Sequence, residues 1–553
     1  MPVSTGRKTG VRREMGGEEA LAIGAFKAGV RFVTGFPGRP SAKTLHLLSV
    51  VGKDRGIAAS WAVNGKVALE EAIGASLLSR RALVCLPASA LSTAQESLIA
   101  AAITGSRAGL VVLAGDDPGA WYSTFELDSR EIAMIAEIPV LEPSNPAEGM
   151  DMMQEAFRLS EEYQIPVMIR IVLSYSEMKS EVASEKIMRP TVPDAIFIKE
   201  QGRWVSKPEN AHERHERLRF KLDRIVESFE HSVFNDTRGS AKKAVIAVGH
   251  VASEVFDIVG DIARSHFTLC KLGTAYPLPK GYLLPVLESV EEVAILEESQ
   301  PIVETAIAEL VRRRVLDVEV KGRLTGMVQN TGELFRWQID EILSQFEPRF
   351  DAAKTYFPYQ EKSERERAQK FCSGCPFHHA FRVLKQVISV IYHDDPPIII
   401  GDEGCTMRVS NKPFNLIDAS YNLGSAIPVA AGIAEMKPAV PVIAVMGDGA
   451  FFSSGINGLI NAARNRSNVV VIIVDNDTFA TTGFQPHAGS TYDLKDKPPK
   501  RISIDELVRA CGVQLMRVVD PEDEKRTRQV FSEALAVDGL RVVILRAPCP
   551  LIL

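Results

Sequence analysis

The sequence has few cysteines and no long apolar run. Its 553 residues include seven cysteines, an odd number that does not suggest a disulfide framework. No stretch reaches the roughly 18 apolar residues that a membrane-spanning helix requires. No apolar segment follows the basic residues near the N-terminus, so we also expect no secretory signal. These features favour a reducing, cytoplasmic compartment, in which clustered cysteines would bind metal.

The chain also lacks a large excess of either charge. It contains 64 lysines and arginines against 70 aspartates and glutamates, which gives a net charge of −6. We therefore expect neither nucleic acid nor an anionic membrane as a partner. The hydrophobic content of 46% and the charged content of 24% are typical of globular proteins. The length is too great for one core, which indicates several domains.

Hydrophobic patterns divide the chain into three large segments. Residues 17–190, 241–346 and 370–553 alternate continuous apolar strands with helical patterns, which predicts multidomain α/β architecture with parallel sheets covered on both faces. The segments between and before them differ in character. We predict a flexible tail over 1–16, a charged surface helix over 191–240 and a polar linker over 347–369.

Two predicted strands of the last segment end in residues that can bind a metal-diphosphate group. Gly447-Asp448-Gly449 follows the apolar strand Val440–Met446, and Asn476 follows the strand Val469–Asp475. Ligands bind parallel sheets at the carboxyl ends of their strands, where both motifs lie. A bare Gly-Asp-Gly also occurs in ordinary turns, and it is the pairing of two strand ends that makes this signal specific.

The chemistry of these residues suits magnesium and a diphosphate. Magnesium prefers oxygen ligands, which the Asp448 carboxylate, the Asn476 amide and a backbone carbonyl near Thr478 can supply. The two glycines let the backbone approach phosphate closely. A helix predicted to begin near Ser453 offers free N–H groups to the anion. The pattern therefore predicts thiamine diphosphate bound through Mg²⁺, the alternative being two ordinary strand-end turns.

Four cysteines fall in the same segment. Cys372 and Cys375 form a C-x2-C pair, Cys405 follows a predicted strand, and Cys549 follows the final strand. This spacing is compatible with a metal site, and equally with incidental buried thiols. The other three cysteines lie in apolar stretches and are predicted to be core thiols: Cys85, Cys270 and Cys511.

The stretch from Gly447 to His487 resembles indolepyruvate:ferredoxin oxidoreductase, of the 2-oxoacid:ferredoxin oxidoreductase superfamily. The resemblance extends over nearly the whole chain, through TGFPGRPS (34–41), WAVNGKVALE (61–70), DDPGAWYSTFELDSR (116–130), IPVLEPSNPAE (138–148), LGTAYPLP (272–279) and EESQPIVE (297–304). It implies a pyrimidine-binding domain at 17–190, a transketolase C-terminal-like domain at 241–346 and a diphosphate-binding domain at 370–553. It also implies a homodimer or hetero-oligomer, since the family usually binds the cofactor across a dimer interface.

The resemblance further implies an activity and a set of cofactors. It assigns one [4Fe–4S] cluster to Cys372, Cys375, Cys405 and Cys549. The implied reaction is oxidative decarboxylation of a 2-oxoacid, arylpyruvate-like in this branch, with the acyl group passing to coenzyme A. The printed sequence stops after Cys549 without the family's ferredoxin-like domain, so we expect electrons to leave to ferredoxin or a separate subunit.

Motif position supplies further candidate site residues. Gly424 and Ala450 are expected to contact the cofactor together with the residues named above. Lys66, Gln485 and His487 are candidates for polar contacts near it. Each could equally serve as a structural hydrogen-bond partner.

Two positions depart from the family pattern. Gly65 stands where the family has a glutamate that bonds the pyrimidine and promotes proton removal from the cofactor. If the rest of the site is ordinary, Gly65→Glu should raise turnover, whereas a fall would mean a pocket reshaped around glycine. Arg39 stands where the family has threonine. It could bind a substrate carboxylate through two hydrogen bonds or remain an exposed loop side chain.

Three functions remain compatible with the sequence. The first is a 2-oxoacid oxidoreductase that uses both the diphosphate site and the four placed cysteines. The second is a non-redox thiamine diphosphate decarboxylase or carboligase, which the loss of the glutamate favours. The third is a non-catalytic subunit that retains cofactor binding, which Gly65 also favours and the intact Asp448 and Asn476 pair opposes.

Overall fold

The structure is a computed structural model that describes residues 11–184, 195–260, 265–350, 371–393, 395–494 and 500–552. The chain divides into two compact units, Met1–Glu366 and Arg367–Leu553. Both alternate strands and helices, which confirms the predicted α/β class. In the described residues no helix is both long and apolar enough to cross a bilayer.

The described residues of the first unit form fourteen strands in three sheets. They are β1 Val11–Gly16, β2 Phe32–Gly35, β3 Ala58–Trp61, β4 Ala82–Pro87, β5 Leu110–Asp116, β6 Val140–Leu141, β7 Val167–Val172, β8 Lys179–Ser184, β9 Asp236–Arg238, β10 Lys243–Val248, β11 Thr268–Leu272, β12 Thr274–Tyr276, β13 Glu292–Leu296 and β14 Glu319–Lys321. A seven-stranded sheet has the order β12-β6-β7-β5-β4-β2-β3, and a five-stranded sheet has the order β14-β13-β10-β11-β9. Only β12 and β9 run antiparallel to their neighbours in these two sheets.

Helices cover the sheets of this unit. They are α1 Gly17–Lys27, α2 Ala42–Gly52, α3 Gly65–Leu77, α4 Ala88–Thr93, α5 Gln95–Thr104, α6 Ser129–Ala136, α7 Pro146–Tyr163, α8 Leu173–Glu177, α9 Gln201–Trp204, α10 Pro208–Glu230, α11 His250–Val259, α12 Lys280–Ser289, α13 Ile302–Arg314 and α14 Arg336–Phe346. Strands β4, β5 and β7 are buried along their entire length. Their sequences are almost entirely apolar, as burial on both faces requires, and the exceptions, Asp116 in β5 and Arg170 in β7, pair with each other.

The predicted tail differs from expectation, whereas the charged segment contains the surface helix that was predicted. Residues 11–16 were predicted to be flexible, but they form β1, which pairs antiparallel with β8 along six residues. Residues 1–10 of that tail and 351–369 of the predicted linker lie outside the described residues. The charged segment contains α10, whose apolar side is buried on the unit (Leu218, Leu222, Ile225, Phe229). It is therefore a packed helix and not only a solvated connection.

A buried ionic network joins the two large sheets of the first unit. Arg130 is fully buried and pairs with Asp128 and with Glu297, each at 2.6 Å. Arg170 in β7 pairs with Asp116 at 2.6 Å and with Glu142 at 2.7 Å. Buried charges persist only when they are paired, because an isolated charge in a low-dielectric interior is costly.

Glu298, beside this network, carries an unusual pKa. Its carboxylate accepts a hydrogen bond from the Leu334 N–H at 2.9 Å. Burial and the nearby Glu333 carboxylate nevertheless raise the pKa of Glu298 to about 7. In the unfolded chain the same group titrates near its ordinary value of about 4.3. The folded state therefore binds one proton more than the unfolded state between these two values.

We expect the stability of the first unit to fall as the pH rises from about 4.5 to 7, because folding is linked to this proton. The slope contributed by one such group is at most about 1.4 kcal/mol per pH unit. Glu298→Gln keeps an acceptor for Leu334 and should flatten the dependence of the melting temperature on pH in that window. Glu309→Gln is the control, because the exposed Glu309 has its pKa lowered, outside the window, by Arg312 and Arg313. An unchanged slope in Glu298→Gln would contradict the assignment.

The second unit contains one parallel six-stranded sheet in the order β16-β15-β17-β18-β20-β19. Its strands are β15 Ile398–Gly401, β16 Ala419–Ser420, β17 Val442–Gly447, β18 Val469–Asp475, β19 Leu515–Val519 and β20 Arg541–Arg546. Its helices are α15 Phe377–Tyr392, α16 Ala426–Glu435, α17 Asp448–Ala450, α18 Ile456–Arg464, α19 Ile504–Ala510 and α20 Glu524–Ala536. Apolar clusters lie on both faces of this sheet.

Candidate functional site

The sheet of the second unit has a topological switch between β15 and β17. These strands are neighbours, but the chain passes from β15 to β16 on one side and from β17 to β18 on the other. The connections after the two strands therefore diverge and leave a crevice at their carboxyl ends, where open α/β sheets bind ligands. Asp402 follows β15 and Asp448 follows β17. The crevice thus lies between two carboxylates.

Asp448 is held rigidly at this crevice. It is buried, and its Oδ2 atom accepts backbone N–H bonds from Asn476 and Asp477, both at 2.8 Å. Its Oδ1 atom accepts the N–H of Gly449 at 2.8 Å. These bonds connect the end of β17 to the end of β18, which brings the two sequence-predicted magnesium ligands together.

The remaining predicted diphosphate residues surround this pair. Asn476 is buried, and its Oδ1 atom accepts the Thr478 N–H at 3.1 Å. The Thr478 carbonyl accepts the Ala480 N–H at 3.0 Å, in a turn directed by the Asn476 side chain. A Cβ atom at Gly449 would lie 2.3 Å from the Phe479 ring, so only glycine fits there. Ala450 is buried in the helical turn that follows.

The helix at this strand end begins earlier than predicted. A first turn, α17, starts at Asp448 itself and continues through a π-helical segment, Phe451–Gly455, into α18. The expected start near Ser453 is wrong, because Phe451 and Phe452 are buried as part of one continuous helical run. Asp448 is consequently the first helical residue, where the helix dipole favours negative charge.

His487 faces the same carboxylate. Its Nε2 atom lies 3.0 Å from Asp448 Oδ2, at ion-pair distance but without hydrogen-bond geometry. Its ring stacks on Phe452, with centroids 5.4 Å apart. Burial lowers the pKa of His487, but the combined attraction of the nearby Asp448, Asp475 and Asp477 carboxylates outweighs it, so the pKa is raised. A histidine was predicted here from motif position alone, and the structure places it in contact with the proposed magnesium ligand.

Asp402 is a site residue that the sequence analysis did not single out. Its side chain accepts the N–H groups of Gly424 at 2.8 Å and of Ala426 at 3.0 Å. Burial raises the pKa of Asp402 to about 7. Gly424 has φ of +86° and lies so close to Ser454 that a Cβ atom would be 1.9 Å from its Oγ atom. Asp402 thereby fixes the loop that carries Gly424, and its place directly after β15 is the signal that could have found it.

The four predicted cluster cysteines line one pocket of the second unit. Its other walls are mainly apolar: Phe371, Phe377, Phe381, Val474, Phe484, Pro550 and Leu551. Asn476 also lines this pocket, and its carbonyl accepts the Cys549 N–H at 3.1 Å. The pocket lined by the four cysteines is therefore adjacent to Asn476, a predicted magnesium ligand.

The four thiols lie within one pocket, although among the described residues no group of three or more His, Cys, Asp or Glu side chains is arranged to hold a metal ion. Burial raises the pKa of Cys405 to about 11 against the opposing effect of Arg408. Binding of iron would therefore release protons from these thiols.

The other cysteines follow the prediction in part. Cys85 and Cys270 are buried core thiols. Cys511 is only partly buried against the second unit's core and is not the fully enclosed thiol that was expected.

Gln485 bonds locally to Thr482, through its Oε1 at 2.6 Å and its Nε2 at 2.9 Å. These contacts give Gln485 a role in shaping its own turn.

In the first unit, Gly65 lies against the backbone of α4. A Cβ atom at this position would be 2.0 Å from the carbonyl oxygen of Ala90. Asn64 caps the helix that Gly65 begins by accepting the Val67 N–H at 2.9 Å. A side chain at this position would therefore require α4 to shift. Lys66, next in sequence, pairs with Glu70 and donates to Ser97 Oγ at 3.1 Å.

Two family models match the chain. Residues 402–545 match the thiamine pyrophosphate enzyme, C-terminal TPP binding domain, and residues 23–221 match the pyruvate flavodoxin/ferredoxin oxidoreductase, thiamine diP-binding domain. The fold and the site therefore define a thiamine diphosphate-binding oxidoreductase subunit with both cofactor-binding halves in one chain.

Curated relatives match nearly the full length. Indolepyruvate oxidoreductase subunit IorA of Methanothermobacter marburgensis is 32% identical over 97% of this chain and 86% of the relative. The same subunit of Pyrococcus abyssi is 31% identical over 98% of this chain and 86% of the relative. The chain belongs to the family of indolepyruvate oxidoreductase subunit IorA. A solved 2-oxoglutarate:ferredoxin oxidoreductase from Magnetococcus marinus shares 14% identity, with a TM-score of 0.49 over 62% of this chain and 67% of that chain.

Proposed function

We propose that this chain is the catalytic subunit of an oxidoreductase that decarboxylates an aryl-substituted 2-oxoacid and transfers the acyl group to coenzyme A. Electrons would pass through a [4Fe–4S] cluster to ferredoxin or to a partner subunit. The family membership supports the reaction class, since its members are named as indolepyruvate oxidoreductase subunits. The observation that carries the redox step is the single pocket lined by Cys372, Cys375, Cys405 and Cys549.

The second unit offers the ligands for the metal-diphosphate group. Asp448 and Asn476 would hold Mg²⁺, with the Thr478 carbonyl as a third oxygen donor, and the metal would neutralise the charge of the diphosphate. Asp448 is already oriented by three backbone N–H groups, so little rearrangement is needed on binding. Thiamine diphosphate, when bound, supplies the electron sink for decarboxylation.

The chain's own residues prepare the surroundings of this group. Asp402 holds the Gly424 loop by accepting two of its N–H groups. A phosphate in the crevice could then approach the backbone of this loop closely. His487 lies 3.0 Å from the Asp448 carboxylate and stacks on Phe452, so it helps to enclose that side of the site. The aromatic walls of the cysteine pocket exclude water, which strengthens electrostatic interactions there.

Assembly is part of the proposal. The relatives are named as subunits, as are the more distant 2-oxoglutarate synthase subunits KorA and KorB. We propose that 17–190 binds the pyrimidine and 370–553 the diphosphate, in a homodimer or hetero-oligomer. The segment 241–346 would be the transketolase C-terminal-like domain.

One observation favours a second candidate function. The backbone of Ala90 occupies the space beside Gly65, so the glutamate that the family uses on the pyrimidine is absent and has no room. A non-redox decarboxylase or carboligase, or a non-catalytic subunit that keeps the cofactor, would tolerate this loss. The cysteine pocket counts against both, because neither uses an iron–sulfur cluster.

Iron and acid-labile sulfide in protein purified without oxygen separate these functions. We expect about four of each per chain, as a [4Fe–4S] cluster requires. Cys375→Ser should lose most of both. Cys511→Ser should keep them, because Cys511 lies in the same unit but outside the pocket. If the protein bound thiamine diphosphate and Mg²⁺ but contained no iron, the redox function would be excluded. A non-redox decarboxylase or carboligase, or a non-catalytic subunit, would remain.

A further inference from the structure

The first unit has its own topological switch, at the loop that carries Arg39. Strands β2 and β4 are neighbours, but the chain passes from β2 to β3 on one side and from β4 to β5 on the other. The crevice at their carboxyl ends is where such a sheet binds ligands. The connection after β2 includes Arg39, and β4 ends at Pro87. Arg39 is therefore part of a ligand-binding crevice by topology.

The backbone of this loop is fixed on the strand ends. A Cβ atom at Gly38 would lie 2.5 Å from the Pro87 ring. A Cβ atom at Gly115, near the end of β5, would lie 1.8 Å from the Pro40 carbonyl oxygen. Glycine at both positions lets the loop lie directly on β4 and β5. The Arg39 side chain therefore extends from a rigid base, which lowers the entropy lost when it binds a ligand.

The guanidinium of Arg39 is solvent-exposed and stacked on an aromatic ring. Its central carbon lies 4.9 Å from the centroid of the Tyr122 ring. Across the described ranges, no carboxylate oxygen lies within the 4.0 Å ion-pair distance of this guanidinium. The two fully buried arginines of this unit are instead neutralised by several carboxylates (Arg130 and Arg170). The N–H groups of Arg39 make no hydrogen bond to another described residue, so they are available to a planar anion.

Tyr122 is held in place although its surface is 58% exposed. Asp117 Oδ2 accepts the N–H groups of Tyr122 at 2.7 Å and of Ser123 at 2.8 Å. The adjacent Trp121 packs edge-to-face on Phe335, with ring centroids 6.0 Å apart. An exposed aromatic ring on a firmly anchored loop is unusual for a surface side chain, and it is suited to stacking on a ligand ring.

We propose that Arg39 and Tyr122 form the recognition site for an aryl-substituted carboxylic acid. Arg39 binds the carboxylate through two parallel N–H bonds, and Tyr122 contacts the aromatic group. The inference rests on the proposed function in one respect: that function identifies the acid as the 2-oxoacid substrate. It makes Arg39 and Tyr122 the residues that determine which acid is accepted.

The test uses a probe that cannot react. Indole-3-propionate carries the aromatic group and the carboxylate but no 2-oxo group, and indole-3-propionamide is its uncharged counterpart. Isothermal titration of the full-length protein, without added thiamine diphosphate, should show the carboxylate binding about 10-fold or more tightly than the amide, the scale of hydrogen bonds to a charged group. Arg39→Gln should abolish this preference, and Tyr122→Leu should weaken both probes while keeping it.

Arg55 provides a matched control. It also stacks on an aromatic ring of the first unit, with its central carbon 5.0 Å from the Phe26 centroid. Arg55→Gln should leave both affinities unchanged. Equal affinity of the two probes for the wild-type protein, or an undiminished preference in Arg39→Gln, would overturn the proposal. Because no turnover is measured, protein without iron that still prefers the carboxylate would refute the redox function and leave this site standing.

Discussion

Replacing Gly65 with glutamate should destabilise the first unit and lower activity, although the family pattern alone predicts a gain. The new Cβ atom would lie 2.0 Å from the Ala90 carbonyl oxygen and 2.6 Å from its carbonyl carbon. Both contacts are with backbone, which cannot rotate away as a side chain can. Overpacking that forces backbone shifts typically costs about 1–3 kcal/mol. The melting temperature and the soluble yield of the variant measure the effect.

Two further variants separate packing from chemistry. Gly65→Ala introduces the same Cβ atom without a carboxylate, so it should reproduce most of the loss. Gly74→Ala lies on the same helix, α3, where a Cβ atom meets nothing within 4 Å. It should stabilise the protein by up to about 1 kcal/mol, because alanine is the better helix former. If Gly65→Ala had the melting temperature of the wild-type protein, α4 must be able to move away from the new Cβ atom. The expectation that Gly65→Glu raises turnover would then stand again.

Buried parallel strands were the most predictable part of the fold. Strands β4, β5, β7, β17 and β18 are apolar at nearly every position, as expected for strands covered by helices on both faces, and that pattern is visible without any knowledge of long-range contacts. The ends of β17 and β18 could be placed at one edge for the same reason. This is why Asp448 and Asn476 were found together.

Features that depend on distant partners were not predictable. The ribbon of β1 and β8 is formed by polar segments separated by most of the first domain, and neither shows a strand-like apolar alternation. The approach of Ala90 to Gly65 is a contact between two backbones, which leaves no mark in residue types. The position of Asp402 after a strand was a usable signal, but its contacts with the N–H groups of Gly424 and Ala426 could not be predicted, because backbone groups carry no sequence signal.

Asp448→Asn should remove most thiamine diphosphate binding in the presence of Mg²⁺. The substitution takes away the one anionic oxygen ligand and directs an amide N–H₂ group towards donors, since both Asp448 oxygens accept backbone N–H bonds. Losing one partner of a buried, hydrogen-bonded charge typically costs about 2–5 kcal/mol, so we expect an affinity loss of roughly 100-fold. Isothermal titration with thiamine diphosphate and Mg²⁺ measures it.

The same substitution at Asp477 tests whether the loss is specific to the ligand position. Asp477 has φ of +71°, a conformation that asparagine tolerates well, and its carboxylate accepts bonds only from the Thr491 N–H and hydroxyl groups among the described residues. Asp477→Asn removes the same charge from the same strand end, so it should change the affinity by only a few-fold. If the two variants bound thiamine diphosphate equally well, the metal would be held by other residues. A loss confined to Asp448→Asn would assign the charge requirement to that single carboxylate.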